Sequence, residues 1–145
     1  MASALLIHGV PIECINQAAV TYYVPAKVII SVIATEGGDV GVARQNKNGT
    51  TDYGPMQVNS SWLPTIKKYG YTPKLLQYDP CVNVMAGTWI LSNKIIQSKD
   101  YWSGVANYHS VTPLLNARYK LKVLNYYQLL SKVLPETDNN PSLRT

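Results

Sequence analysis

Residues 25–36 read PAKVIISVIATE and are followed at once by Gly37-Gly38. Ile29, Val32 and Ile33 stand seven, four and three positions before Glu36, the spacing that gathers side chains on one stripe of an α-helix. Pro25 suits the first helical turn, where a missing N–H is harmless, and the glycine pair ends the helix. The pattern predicts a core-facing helix that carries a carboxyl at its end. Isoleucine and valine around a carboxyl withdraw it from water and favour its neutral, proton-donating form, the form a general acid requires. A frayed last turn would instead leave Glu36 in water, where most glutamates are found. The residues downstream tip the balance toward the buried acid.

The helical period disappears over residues 39–59. Within them Asn48-Gly49 is a strong tight-turn pair, and its flanks are expected to form a short hairpin with Asp52 on the return arm. Helical signals resume near residues 61–69, and Thr72-Pro73 then opens a short helix. Asp79-Pro80 opens a longer one to about Gln97, with Val84, Met85, Thr88, Leu91 and Ile95 as its stripe. A helix over about 101–109 follows, and Thr112-Pro113 starts the last, to about Val133. Upstream, Pro11 opens a helix to about Tyr22, with Cys14, Ile15, Ala18, Ala19 and Tyr22 on its apolar side. The expected class is mainly α (α+β), one domain over residues 1–134 with a small β-hairpin between helices. The tail PETDNNPSLRT, residues 135–145, is polar with two prolines and is expected to be mobile.

A chain of 145 residues with 46% hydrophobic and 14% charged residues can bury a real core and is not a disordered polymer. Eleven tyrosines and three tryptophans with no phenylalanine give every ring a polar handle. That suits a wet groove that stacks on sugars, although half-buried packing is the reading for most of them. The net charge of +5 favours an anionic partner such as cell-wall polymer, nucleic acid or a lipid surface. Basic residues form no block: Lys67-Lys68 and the spaced Arg118, Lys120 and Lys122 come closest, so nucleic-acid binding rests on charge alone. Cys14 and Cys81 are too far apart for a CxxC pair, and with two histidines and no HExxH no metal site is expected. A disulfide between them would close a loop of 81 − 14 = 67 residues, contributing roughly 4 kcal/mol in the chain-entropy model; two buried free thiols are the alternative. No stretch approaches the length of a membrane span. The start, MASALLIHGVPIEC, lacks a basic n-region and a full apolar h-region, so either the protein stays in the cytosol or a leader has already been removed.

Residues 36–62 read EGGDVGVARQNKNGTTDYGPMQVNSSW. This segment resembles the catalytic core of the lytic transglycosylases, in the branch linked to specialised secretion systems and pili. Through NGTTDYGPMQVNSSW it is also similar to animal-type lysozymes. The resemblance rests on Glu36, the Asn48-Gly49 turn, Tyr53-Gly54-Pro55-Met56-Gln57 and Asn59. It continues with Asp79-Pro80-Cys81-Val82-Asn83, Tyr108-His109-Ser110 and Thr112-Pro113, and spans about residues 12–133.

What the resemblance implies is a lysozyme-like fold and a peptidoglycan-cleaving enzyme, acting on the β-1,4 bond between N-acetylmuramic acid and N-acetylglucosamine without a cofactor. Glu36, protonated, would donate to the bridging oxygen; its carboxylate would then take the proton of the muramic C6 hydroxyl as a 1,6-anhydro ring closes. Tyr53, Met56, Gln57, Asn59, Tyr108 and His109 are the expected substrate-binding residues, the two amides for acetamido and hydroxyl groups, the two tyrosines for stacking or hydrogen bonding. The implied partners are peptidoglycan glycan strands and secretion-system or pilus components, with the chain a monomer in the periplasm or outside the cell. There a Cys14–Cys81 disulfide is expected, the leader having been removed.

Three positions depart from the commoner pattern. Asp52 stands where animal-type lysozymes carry their second carboxylate; support of an oxocarbenium ion and a purely local role in the loop are equal readings for it. Gly37 replaces a frequent serine, which leaves the orientation of Glu36 to Tyr108 or a loop backbone group. His109 replaces an asparagine and is read as a groove residue or a satisfied helix-end histidine rather than a base. No substrate role is assigned to Trp62, Trp89 or Trp102, and Tyr126 and Tyr127 are read as structural. Three rivals stay open: a muramidase hydrolysing the same bond, a non-catalytic peptidoglycan-binding assembly subunit and, most distantly, a basic nucleic-acid-binding helical protein.

Overall fold

Prolines set the starts of the first two long helices. In the computed structural model, which describes residues 5–134, helix α1 spans Ile12–Tyr22 after Pro11 and α2 spans Ala26–Glu36 after Pro25. Gly37 ends α2 at φ 70°, its N–H donating to the Ile33 carbonyl at 3.1 Å, a conformation open to glycine without strain. Lys27 to Ile33 are buried without a break, so α2 is a core helix rather than a one-sided one. Lys27 keeps its ammonium over the Tyr127 ring, 5.4 Å from the centroid.

The irregular segment folds into an antiparallel sheet in the order β3 (Ala43–Gln45), β4 (Thr51–Tyr53), β5 (Val58–Asn59). The Asn48-Gly49 hairpin is present, but the chain turns once more and adds a third strand, pairing Asp52 with Asn59. That second turn needs left-handed backbone at Gly54 (φ 67°) and at Gln57 (φ 52°). A further hairpin, β1 (Leu6–Ile7) with β2 (Val10–Pro11), precedes α1 and was not expected. Strands of two residues carry no readable period, and the turn between them places His8 and Gly9 both at positive φ.

The single helix expected near residues 61–69 is broken into 3₁₀ turns at Ser60–Trp62 and Lys67–Tyr69 around α3 (Leu63–Ile66). Pro64 is tolerated only in a first turn, so the α-helix begins beside it and runs for a single turn. The remaining helices begin at the expected residues. Thr72 accepts from the Leu75 N–H at the head of α4 (Pro73–Tyr78), and Asp79 accepts from Cys81 and Val82 N–H at the head of α5 (Pro80–Gln97). Asp100 caps α6 (Tyr101–Asn107), and Thr112 precedes α7 (Pro113–Val133).

Helix α5 lies at the centre, packed on α1 and α6, while α7 lies along α2 and α6. Its expected five-residue stripe is too narrow: Ala86, Gly87 and Ile90 are buried beside Val84, Thr88 and Leu91, while Met85 and Ile95 are only partly covered. A helix surrounded on most sides shows no clean amphipathic face. At Gly87 a Cβ would stand 2.5 Å from the Met56 sulfur, so the loop after β4 crosses α5 closely at a residue without a side chain. The mainly α architecture with small antiparallel sheets is as expected; the tail at 135–145 lies outside the described residues.

Cys14 on α1 and Cys81 in the first turn of α5 are joined by a disulfide, Cα atoms 5.2 Å apart. Thiol titration of the unreduced, denatured protein is accordingly expected to find no reactive thiol. Two thiols per chain would refute the bond.

Candidate active site

Glu36 is the last residue of α2 and opens into a groove of about 890 Å³. The Tyr119 hydroxyl, carried by α7, donates to its Oε2 at 2.7 Å. Burial pushes the Glu36 pKa up to about 7; the Tyr119 bond works against this, the Asp52 charge adds to it, and the Arg44 charge again opposes it. Such a carboxyl holds a proton for a fair fraction of the time at neutral pH and can also release it. Burial, the Glu36 charge and the Glu36 bond hold Tyr119 well above the ordinary tyrosine range, so it remains the donor.

Asp52 faces the same groove from β4. Asn46 Nδ2 donates to one of its oxygens at 3.0 Å and Asn59 Nδ2 to the other at 2.8 Å. Side-chain amides, not the local backbone, hold this carboxylate. Asn59 also accepts from the Ser61 N–H at 3.0 Å, which ties β5 to the turn that follows.

The floor is the loop from Tyr53 to Gln57, and Asn83 on α5 secures it. This fully buried side chain donates to the carbonyls of Tyr53 and Leu76, both at 2.8 Å, and accepts from the Met56 N–H at 2.9 Å. Tyr108 donates its hydroxyl to the Met56 carbonyl at 2.7 Å. Gln57, 6% exposed, donates through Nε2 to the Gly54 carbonyl at 3.0 Å, and its Oε1 is buried with no protein partner among the described residues. Gly38 passes close above: a Cβ there would meet the Gly54 carbonyl and stand 2.8 Å from Gln57 Nε2. Lack of a side chain is thus required at Gly38 for the loop to seat beneath Glu36.

Of the residues read from sequence, Glu36, Asp52, Gln57, Asn59, Tyr108 and His109 all line the groove. Tyr53 and Met56 do not. Met56 is fully buried, with the Thr88 hydroxyl 3.8 Å from its sulfur, and Tyr53 packs on the core while its carbonyl takes the Asn83 amide. Both residues shape the loop from beneath. Tyr108 does not orient Glu36, because its hydroxyl is engaged by Met56. That work falls to Tyr119, which sequence reading missed although it shares a helical stripe with Val123, the other buried residue of α7. The His109 ring stacks on Tyr119 at 4.9 Å with planes 3° apart. Burial, with the Lys122 charge adding to it and the Asp52 charge opposing, lowers its pKa, so the ring is neutral at pH 7. Trp62 lines the groove and packs edge-on against Trp89 at 6.0 Å.

Residues 13–119 match the family model of the transglycosylase SLT domain, from the second residue of α1 to Tyr119 itself. The chain belongs to the SLT transglycosylase family. Among similar proteins are the Invasion protein IagB of Salmonella typhi, 29% identical over 88% of this chain and 82% of that protein, and the Protein IpgF of Shigella flexneri, 24% identical over 88% and 86%. A Peptidoglycan-binding-like protein of Escherichia coli O157:H7 is 26% identical over 90% and 83%. As an SLT domain the chain is a member of a glycan-cleaving family, and its mainly α fold is the lysozyme-like one.

In this SLT domain the Tyr119 bond favours the ionised form of Glu36. Tyr119→Phe is therefore expected to move the alkaline limb of the pH–rate profile upward and to lower kcat roughly 10-fold or more, through the lost orientation of the carboxyl. An unchanged limb would remove Tyr119 from this role.

Proposed function

We propose that the protein is a peptidoglycan lytic transglycosylase that cleaves the β-1,4 bond from N-acetylmuramic acid to N-acetylglucosamine and leaves 1,6-anhydro ends. The observation that carries this reading is the buried Glu36 carboxyl, held by Tyr119 and poised near pH 7. Protonated Glu36 donates to the bridging oxygen as the bond to the muramic C1 breaks and positive charge develops on the ring. The carboxylate then accepts the C6 hydroxyl proton while O6 bonds to C1. The proton returns to Glu36 and no water is consumed.

Asp52, fixed by Asn46 and Asn59 across the groove, is assigned to stabilising the positive ring. Each of its oxygens accepts one amide N–H, which fixes the position of the carboxylate. Gln57, which lines the groove, is assigned to an acetamido group of the substrate. Asn59, Tyr108 and His109 form the surrounding wall. The protein is assigned to the periplasm or cell exterior, in keeping with its disulfide. Its likeness to an invasion protein supports a task in local wall opening for a secretion or pilus apparatus, with the chain acting as a monomer.

Mass spectrometry of muropeptides released from purified peptidoglycan tests this directly. Anhydro-muramic ends are expected from both the wild type and Asp52→Asn, with the variant slower. Reducing ends from the wild type that disappear in Asp52→Asn would replace transglycosylation by hydrolysis through two carboxylates.

A further inference from the structure

Helix α2 ends in a stretch with wide backbone freedom. Gly37 and Gly41 stand at φ 70° and 91°, and Gly38 between them has no side chain to steer it. Such a segment loses much conformational entropy when it is fixed, so its neighbours must hold it. Its far end is tied to α4, where the Gly41 N–H donates to the Gln77 carbonyl at 2.6 Å and Gln77 Nε2 donates to the Gly41 carbonyl at 2.8 Å. The Gly54 N–H adds a bond to the Val42 carbonyl at 2.9 Å. The near end, two residues after Glu36, is met from another side by the β1–β2 hairpin.

That hairpin is anchored at its base and strained at its tip. Val10 is fully buried, and the Ile12 N–H donates to the Leu5 carbonyl at 3.0 Å. At the tip His8 adopts φ 51°, left-handed backbone that persists in a non-glycine residue only where the surroundings fix it. Here they do. His8 Nδ1 lies 3.1 Å from the Gly38 carbonyl oxygen. A carbonyl only accepts, so Nδ1 carries the hydrogen, in the imidazolium as in that neutral tautomer. The Asp39 carboxylate, 3.9 Å away and mostly exposed, adds little. Beside the ring, Gly9 passes so near Val40 that a Cβ on it would stand 2.8 Å from a methyl carbon. Gly38 is thus clasped on two sides: His8 takes its carbonyl, and the Gly54 carbonyl and Gln57 Nε2 leave no room for a Cβ. Lifting this turn would uncover the floor of the groove and admit water to the end of α2, where burial keeps the proton on Glu36.

We propose that His8 is a positioning residue for Glu36: its ring, carried on the N-terminal hairpin, pins the Gly38 carbonyl and so holds the turn after α2 down on the Gly54–Gln57 loop. This role rests on the glycan-cleaving reading above and adds to it a residue that does not line the groove and stands 30 positions from the turn it holds. His8 touches no substrate; it acts through the backbone that follows the candidate acid.

Two substitutions test it. His8→Gly removes the ring and accepts φ 51° without strain. His8→Asn keeps a donor, since asparagine Nδ2 stands as many bonds from Cα as histidine Nδ1, and asparagine tolerates left-handed backbone. Neither changes the charges of Asp52 and Arg44 that act on Glu36. On purified peptidoglycan His8→Gly is expected to lower kcat roughly 10-fold with KM within about 2-fold of the wild type. The alkaline limb of its pH–rate profile should move to lower pH, because a wetter Glu36 gives up its proton sooner. His8→Asn should return both toward the wild type. A glycine variant that melts earlier but keeps the wild-type kcat and limb would overturn the proposal, and so would an asparagine variant no better than glycine. If the wild type cleaves no peptidoglycan, the parent reading falls, and carbon NMR titration of the Glu36 carboxyl decides the clasp without turnover. A midpoint lowered in His8→Gly and restored in His8→Asn supports it; equal midpoints in all three proteins overturn it.

Discussion

Glu36→Gln is expected to reduce peptidoglycan cleavage by roughly 10³–10⁴-fold, because in the proposed mechanism the acid and the base of both steps are the same group. The amide keeps the shape and can still accept from Tyr119 but has no proton to cycle. The same substitution should stabilise the fold at alkaline pH. The Glu36 pKa rises from 4.5 to about 7 on folding, so the folded state holds its proton more tightly than the unfolded chain. Stability from this group is fully present below pH 4.5 and is lost as the pH rises toward 7; above that the wild type carries a burden of about 3 kcal/mol. Glutamine does not ionise and escapes it. Urea denaturation at pH 8 should find the variant more stable by up to about 3 kcal/mol, with the difference vanishing near pH 4. Retained activity would sink the single-acid mechanism, and an equal stability difference at both pH values would sink the account of the burial.

Asn83→Ala is expected to lower stability by roughly 3–5 kcal/mol and to abolish activity at the same time. Asn83 satisfies the buried Leu76 carbonyl, the part-buried Tyr53 carbonyl and the buried Met56 N–H, and each buried group left unpaired costs about 1–3 kcal/mol. The freed segment, Tyr53 to Met56, positions Gln57 and receives the Tyr108 hydroxyl. A denaturant midpoint within about 1 kcal/mol of the wild type would show that water or repacking replaces the side chain.

The parts of this molecule that were legible beforehand are those fixed by local chemistry. Pro25, Pro80 and Pro113 each sit within a residue of a helix start because proline lacks the N–H that only a first turn can forgo. Asn48-Gly49 announces its turn through backbone freedom, and the stripe ending at Glu36 is visible because its residues share one helix. Apart from the Cys14–Cys81 pairing, longer-range relations were hidden. Met56 sits in a motif that reads as ligand-binding, yet its sequence neighbours do not reveal that α5 passes beneath it at Gly87. The α5 stripe misled because a helix enclosed on several sides has no solvent face to define a period. Tyr119 looked like one more packing tyrosine, since its meaning lies in a partner on another helix.

Tyr119 meets Glu36 across 83 positions of chain, and Tyr108 meets Met56 across 52. Contacts between residues so distant in sequence close large loops, at a cost in chain entropy. A chain synthesised from its N-terminus holds Glu36, Asp52 and Gln57 well before α7 exists to support the carboxyl. In the proposed mechanism the site is therefore completed by the whole fold rather than by the presence of its residues, and a chain interrupted ahead of Tyr119 carries the candidate acid without the hydroxyl that holds it.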